Sequence, residues 1–342
     1  MIVVTPSWKF LRKVVLTAAA CCAVWGVVSF VYYWDPTRVA IKRFMASDPY
    51  RYEETHPQNL KFDPQKAITI RTADGAKIRR KALASAIWGT PEVPADYSLG
   101  PPIPIDLEAP RPTDCPDTAA GKRYGTPLRC EIDHYRGTAN LAEISQQEFT
   151  ISPHYRSYIG QFRPQVWNKW TVLYHHGYAG TYHDQHRSIA RLIEHGYAVL
   201  AFNLPGFGGN HIPGAGLTTI QRTMSPVMLA LEYAVRHEEP KGIATIGLSA
   251  GGWAMAMATA LDPRVRASYP VASPIYPVAL TDPKLEAPPI SREPGLLDSA
   301  GYLDLFVLGT SGSGNKPRRQ LQIFNRYDRC CWRNQTALLY AD

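Results

Sequence analysis

Hydrophobic and polar positions divide this chain into three textures. From Val14 to Trp34 no charge interrupts the apolar run VVLTAAACCAVWGVVSFVYYW, and as a helix it would rise about 31 Å, the thickness of a bilayer's hydrocarbon core. Tyr32, Tyr33 and Trp34 gather at its far end, where an aromatic belt lies. A single-pass anchor is the expectation, ahead of a cleaved signal peptide or a buried core helix. A connector follows from Asp35 to about Thr55. The stretch KAITIRTADGAKIRRKALA alternates around Asp74-Gly75, which predicts a hairpin. Nine prolines between Pro91 and Pro127 predict a long covering loop, since proline suits neither helix interior nor central strand.

The third texture starts near Phe149. EFTISPHYRSYIGQFRP predicts a second hairpin, and WTVLYHHG, from Trp170 to Gly177, an apolar strand. DQHRSIARLIEHG places Ile189, Leu192 and Ile193 on one helical face and stops at Gly196. Then come a strand in YAVLAFNLPG, a helix from about Thr218 to His237, a strand from Gly242 to Leu248, a helix from Ser249 to Leu261 and a strand in VRASYPVAS. Strands alternating with helices at this spacing predict a mostly parallel sheet covered on both faces. On such sheets ligands gather at the carboxyl ends of the strands.

Composition adds limits. With 342 residues, 45% of them hydrophobic, the chain is long enough for one large domain plus extensions. The net charge of +8 comes from scattered clusters, two of which flank the apolar run and read as membrane-surface charge. No stripe of basic and aromatic residues accompanies it, so nucleic acid is not an expected partner. The N-terminal amine, and Asp35 on the far side, favour residues 1–13 in the cytoplasm and everything after the anchor outside it, in a periplasmic or extracellular setting. There Cys115 and Cys130 would close a loop as a disulfide, with two free thiols as the other reading. Cys21 and Cys22 lie in the apolar run as small apolar residues.

The chemistry concentrates in GIATIGLSAGGW. Gly247-Leu248-Ser249-Ala250-Gly251 fits G-x-S-x-G between a strand and a helix, a setting in which a sharp turn lifts the serine hydroxyl clear of the sheet. A Cβ at Gly247 or Gly251 would collide with the neighbouring strand and helix. The helix after Ser249 points its positive end at any anion that forms there.

From about Phe149 to its end the chain resembles the α/β-hydrolase superfamily. Four stretches stand in that family's order: HHGYAG, NLPGFGGN, GLSAGG and LQIFNRYD. The resemblance implies the α/β-hydrolase fold, a mostly parallel central sheet with helices on both faces, here preceded by one transmembrane helix and a connector over 35–148. It implies Ser249 as nucleophile, with an oxyanion hole at the Gly177 turn formed by the amides of Tyr178 and Ala250. His176 would shape that turn. Asp328 would be the acid that orients a histidine, with Asp304 as a weaker alternative. Residues from about 275 to 319 occupy the place of a cap. Cys330-Cys331, as two thiols or with one bridged to the cap, would brace the acid's loop.

One partner is missing. The family's order is serine, acid, histidine, yet all ten histidines precede Ser249. The sheet is therefore expected to be incomplete at its C-terminal edge. Three readings remain: a chain truncated before the histidine, with little turnover as it stands; a non-catalytic hydrolase fold; or a base recruited from His183, His186 or His211. A metal site built from His175, His176, His183 and His186 is disfavoured, because the first pair belongs to the oxyanion turn. The expected function is a membrane-anchored serine hydrolase that cleaves esters or related acyl compounds through an acyl-enzyme, without cofactor or metal. The alternatives are a peptidase or amidase on the same nucleophile and an inactive binding or scaffold protein.

Overall fold

The computed structural model describes residues 16–17, 20, 22–27, 63–93, 98–115, 128–152, 155–178, 180–207, 216–273, 295–312 and 317–324. The chain divides into two compact units, Met1–Tyr52 and Glu53–Asp342. In the first unit the longest described helical run, residues 22–27, rises about 9 Å against a hydrocarbon core of about 30 Å. No helix among the described residues is long and apolar enough to cross a membrane. The single-pass anchor over 14–34 is thereby corrected, and with it the periplasmic or extracellular location that rested on it.

Among the described residues, the second unit holds a nine-stranded sheet. Its strands are β1 (Ser98–Leu99), β2 (Ile103–Pro104), β3 (Leu141–Ser152), β4 (Tyr155–Pro164), β5 (Trp170–His175), β6 (Ala198–Phe202), β7 (Gly242–Leu248), β8 (Val265–Val271) and β9 (Arg319–Gln320). The order is β1-β3-β4-β6-β5-β7-β8-β9, with β2 also on β3. From β6 to β9 all pairings are parallel, whereas the β3–β4 hairpin joins β6 antiparallel. The proline-rich segment is thus partly sheet: β1 and β2 pair with the outer side of β3, where an edge strand tolerates the missing amide of Pro104.

Four helices follow strands in turn: α2 (His186–Glu194), α3 (Thr219–Tyr233), α4 (Ala250–Leu261) and α5 (Tyr302–Thr310). Alternation along the strands sorts their side chains to two faces. Leu173, Leu200 and Ile243 pack with Val227, Met224, Trp253 and Leu308 in one core. Val172, Tyr174 and Val199 pack with Ile189 and Ile193 of α2 in the other. Every residue of α4 is buried, which its run AGGWAMAMATAL allows because no position carries a charge.

Asp74-Gly75 does not turn a hairpin. It lies in the first turn of α1, Ala73–Trp88, where the Thr72 side chain accepts the Gly75 amide at 3.0 Å and Asp74 meets the positive helix end. The following RRKALASAIW is rich in strong helix formers, and it turns Ala76, Leu83, Ala84 and Ile87 inward. Arg80 of α1 donates to Ala260 O at 3.0 Å and Leu308 O at 2.8 Å. Arg318 donates to Leu308 O at 2.8 Å, Val265 O at 2.7 Å and Asp262 O at 3.0 Å. Two guanidiniums thus satisfy the terminal carbonyls that α4 and α5 cannot satisfy themselves.

The Cys115–Cys130 pair is joined as a disulfide, closing a separation of 15 residues. On the chain-entropy account such a loop contributes about 3 kcal/mol. Leu128 within the loop, and Ile132 and Tyr135 just beyond it, are buried. Leu83→Ala is expected to lower the unfolding free energy by about 2–5 kcal/mol, since Leu83 is 0% exposed. A urea titration measures this, and a loss under 1 kcal/mol would contradict the packing described for α1.

Candidate active site

Strand β7 passes into α4 through Ser249, whose φ of 54° and ψ of −121° lie where residues with a side chain rarely sit. Holding a non-glycine residue there costs about 1–3 kcal/mol, so the surroundings must enforce it. They do so through backbone contacts. The Ser249 amide donates to Val271 O of β8 at 2.8 Å, and its carbonyl accepts the Trp253 amide at 3.0 Å, the first bond of α4. A Cβ on Gly247 would stand 2.3 Å from Gly251 O, and one on Gly251 would stand 2.5 Å from both His175 O and His176 O. The bend closes only with glycine at both positions.

The same crowding brings the turn after β5 against the serine. A Cβ on Gly177 would lie 2.8 Å from Leu248 O and 2.9 Å from Ser249 Cβ. Tyr178 follows, 47% exposed, its ring edge-on to Phe207 at 6.4 Å from the turn after β6. Ala250 opens α4, where the first amides have no partner within the helix. Ser249, Gly177, Tyr178, Ala250, Gly247 and Gly251 are therefore gathered at the carboxyl ends of β5 and β7.

Asp304 is excluded as the acid by its neighbours. It is buried in α5 and accepts Thr69 N at 2.7 Å, Thr69 Oγ1 at 2.6 Å and Ile70 N at 3.2 Å. Asp328, Cys330, Cys331 and His211 lie outside the described residues. After β9, Ile323 N donates to Pro270 O at 2.9 Å, and Ala272 N donates to Ile323 O at 2.7 Å.

Among the described residues, His175, His176, His183 and His186 are engaged in local contacts. His175 Nδ1 bonds His176 O at 2.7 Å, and burial pushes its pKa down to about 4. His176, also lowered by burial, sets Nδ1 3.3 Å from Gly177 O. His183 is pushed down to about 3 by burial first and by His134, His186 and His176 second, and its Nδ1 faces Tyr135 Oη at 3.3 Å. His186 stacks on His134 with ring centroids 4.4 Å apart. Among the described residues no group of three or more His, Cys, Asp or Glu side chains is arranged to hold a metal.

A groove of about 640 Å³ runs along the α2 face of the sheet. Tyr174, Ile246, Leu248 and Val271 form its floor, with Ser188 and Leu192 at its side. Gly247 and Leu248 of the elbow also line it. Sequence inspection missed the Val271 carbonyl that anchors the Ser249 amide, because strand pairing carries no local signal. Gly252 offered one: the GG after Ser-Ala. A Cβ there would sit 2.8 Å from Gly247 O.

Residues 172–340 match the alpha/beta hydrolase family. No curated protein matches the sequence. Among solved structures, an esterase from Pyrococcus furiosus is similar at 22% identity and a TM-score of 0.34, over 39% of this chain and 52% of that one. The chain thus spans about half the length of that esterase. Acetyl xylan esterase 1 from Thermoanaerobacterium sp. is similar at 15% identity and a TM-score of 0.46, over 84% of this chain and 88% of that one. An acetyl xylan esterase from Paenibacillus sp. is similar at 17% identity and a TM-score of 0.44, over 78% of this chain and 82% of that one. A serine elbow between a parallel strand and a buried helix, set in this sheet order, defines an α/β-hydrolase fold. With the family match over residues 172–340, that region of the chain belongs to the α/β-hydrolase superfamily.

His175 and His183 have an unfolded pKa of about 6.5, well above their folded values of about 4 and about 3. Between those limits the unfolded chain binds protons that the folded chain does not, so stability is fully present above about pH 6.5 and falls as the pH drops toward 4. Urea midpoints measured from pH 7 to pH 4 are expected to decline steadily, and His183→Gln to flatten the decline. A midpoint independent of pH over this range would contradict the buried neutral imidazoles.

Proposed function

We propose that this protein is a serine hydrolase that cleaves carboxylic esters or related acyl compounds. The observation that carries the reading is the bend at Ser249, with φ at 54° on a residue that has a side chain. In the proposed cycle the Ser249 hydroxyl attacks the acyl carbon while a general base takes its proton. The carbonyl oxygen becomes an oxyanion, and the amides of Ala250 and Tyr178 donate to it. Two preorganised donors of this kind contribute several kcal/mol at the transition state. Collapse expels the alcohol, which takes the proton back from the base. Water then attacks the acyl-enzyme along the reverse path and releases the acid.

Asp328 is the proposed acid, to orient the base and stabilise its charged form. Its support is topological: it follows five residues after Ile323, where the chain runs beside β8 next to the Val271 anchor of Ser249. The mechanism calls for no cofactor. Amide substrates would use the same groups. A second reading, a binding protein on this fold, is favoured by one observation: all ten histidines precede Ser249.

Expressed from its complete reading frame, the protein is expected to be labelled by a fluorophosphonate probe at Ser249, and Ser249→Ala to remove the label and p-nitrophenyl ester turnover together. Well-folded protein that takes no label would sink the enzymatic reading and favour the binding one.

A further inference from the structure

The turn that presents the Tyr178 amide is anchored at its far end by a carboxylate that the proposed mechanism does not use. After β5 the chain passes Gly177 and Tyr178, and then Thr181 opens a helical turn over Tyr182–Gln185. Asp184 Oδ2 accepts the Thr181 amide at 2.8 Å, and the Thr181 side chain completes the reciprocal capping box. Next door, Tyr182 N donates to Asn203 Oδ1 at 2.8 Å, tying the same turn to the end of β6.

Gly180 is the tightest point. A Cβ there would stand 2.6 Å from Asp184 Oδ2, 2.6 Å from His176 Cε1 and 3.0 Å from His176 Nδ1. The space on the Cβ side of Gly180 is therefore taken by the Asp184 carboxylate and the His176 ring together. That ring belongs to the residue just before Gly177, itself pressed against Ser249 Cβ. In sequence, His176 and Gly180 bracket the Tyr178 amide. A simple helix cap needs only the Thr181 bond; the contact with His176 across Gly180 is additional.

We propose that Asp184 is a positioning residue of the active site: by clamping Gly180 against His176 it holds the Gly177–Tyr178 peptide at the place where an oxyanion forms above Ser249. This rests on the serine hydrolase reading. The carboxylate touches no substrate and transfers no proton. It acts through the backbone, and what the clamp supplies is felt in the transition state rather than in substrate binding.

The test compares D184A, D184N and G180A in the protein expressed from its complete reading frame. Misplacing a catalytic group by an ångström costs up to about 100-fold in rate, so D184A is expected to lower kcat for a p-nitrophenyl ester by about 10- to 100-fold while KM changes less than about threefold. Fluorophosphonate labelling of Ser249 should slow in parallel. D184N keeps an oxygen acceptor for Thr181 and is expected to recover kcat to within about threefold of the parent. G180A forces a methyl between the same two groups and should reproduce the kcat loss, which keeps the test decisive should D184A melt. Full kcat in both D184A and G180A, with Ser249 still labelled, overturns this inference alone. An equal rise in KM with kcat unchanged also overturns it. Failure of the unsubstituted protein to label overturns the serine hydrolase reading and this inference with it.

Discussion

The structure depends on one steric constraint, the meeting of three backbones at the elbow with no room for a side chain between them. Gly247 abuts Gly251, Gly251 abuts the carbonyls of His175 and His176, and Gly177 abuts Ser249. These contacts link β5, β7 and the first turn of α4. The Ser249 amide donating to Val271 O and the Trp253 amide donating to Ser249 O hold the bend from its other sides. Backbone against backbone leaves nothing to repack, since peptide units have no alternative rotamer. A fully buried α4 then locks the bend from behind.

How much of this is legible in the chain follows from how local each cause is. Strands β5 to β8 and helices α2 to α4 appear close to where periodicity places them, because each buries a continuous apolar face whose pattern lies in its own residues. The Asp74-Gly75 misreading shows the reverse. That pair suits a type I′ turn and a helix's first turn equally. What decides is Leu83, Ala84 and Ile87, farther along, and their packing against α3, α4 and α5. The apolar run at 14–34 fails for a similar reason: hydropathy alone is a necessary condition for a spanning helix, and the described helical residues form none.

The site divides in the same way. Ser249 and its glycines are readable because strand, serine and helix are contiguous. Asp304 looked available as an acid; only the fold reveals that Thr69 and Ile70 hold it. His183 and His186 looked available as bases until Tyr135 and His134 filled their environment. Val271 and Asn203 carry no signature, since each acts through a contact that sequence spacing does not record.

The bond between Thr69 and Asp304 joins residues 235 positions apart, and α1 rests on helices from the same distant region. A ribosome adding about 5–20 residues each second needs roughly 10–50 s to make that stretch. Through that interval α1 has been translated while α5, part of the surface that buries Leu83 and Ile87, is still to be made. The contacts that seat α1 can therefore be completed only once the C-terminal third of the chain exists.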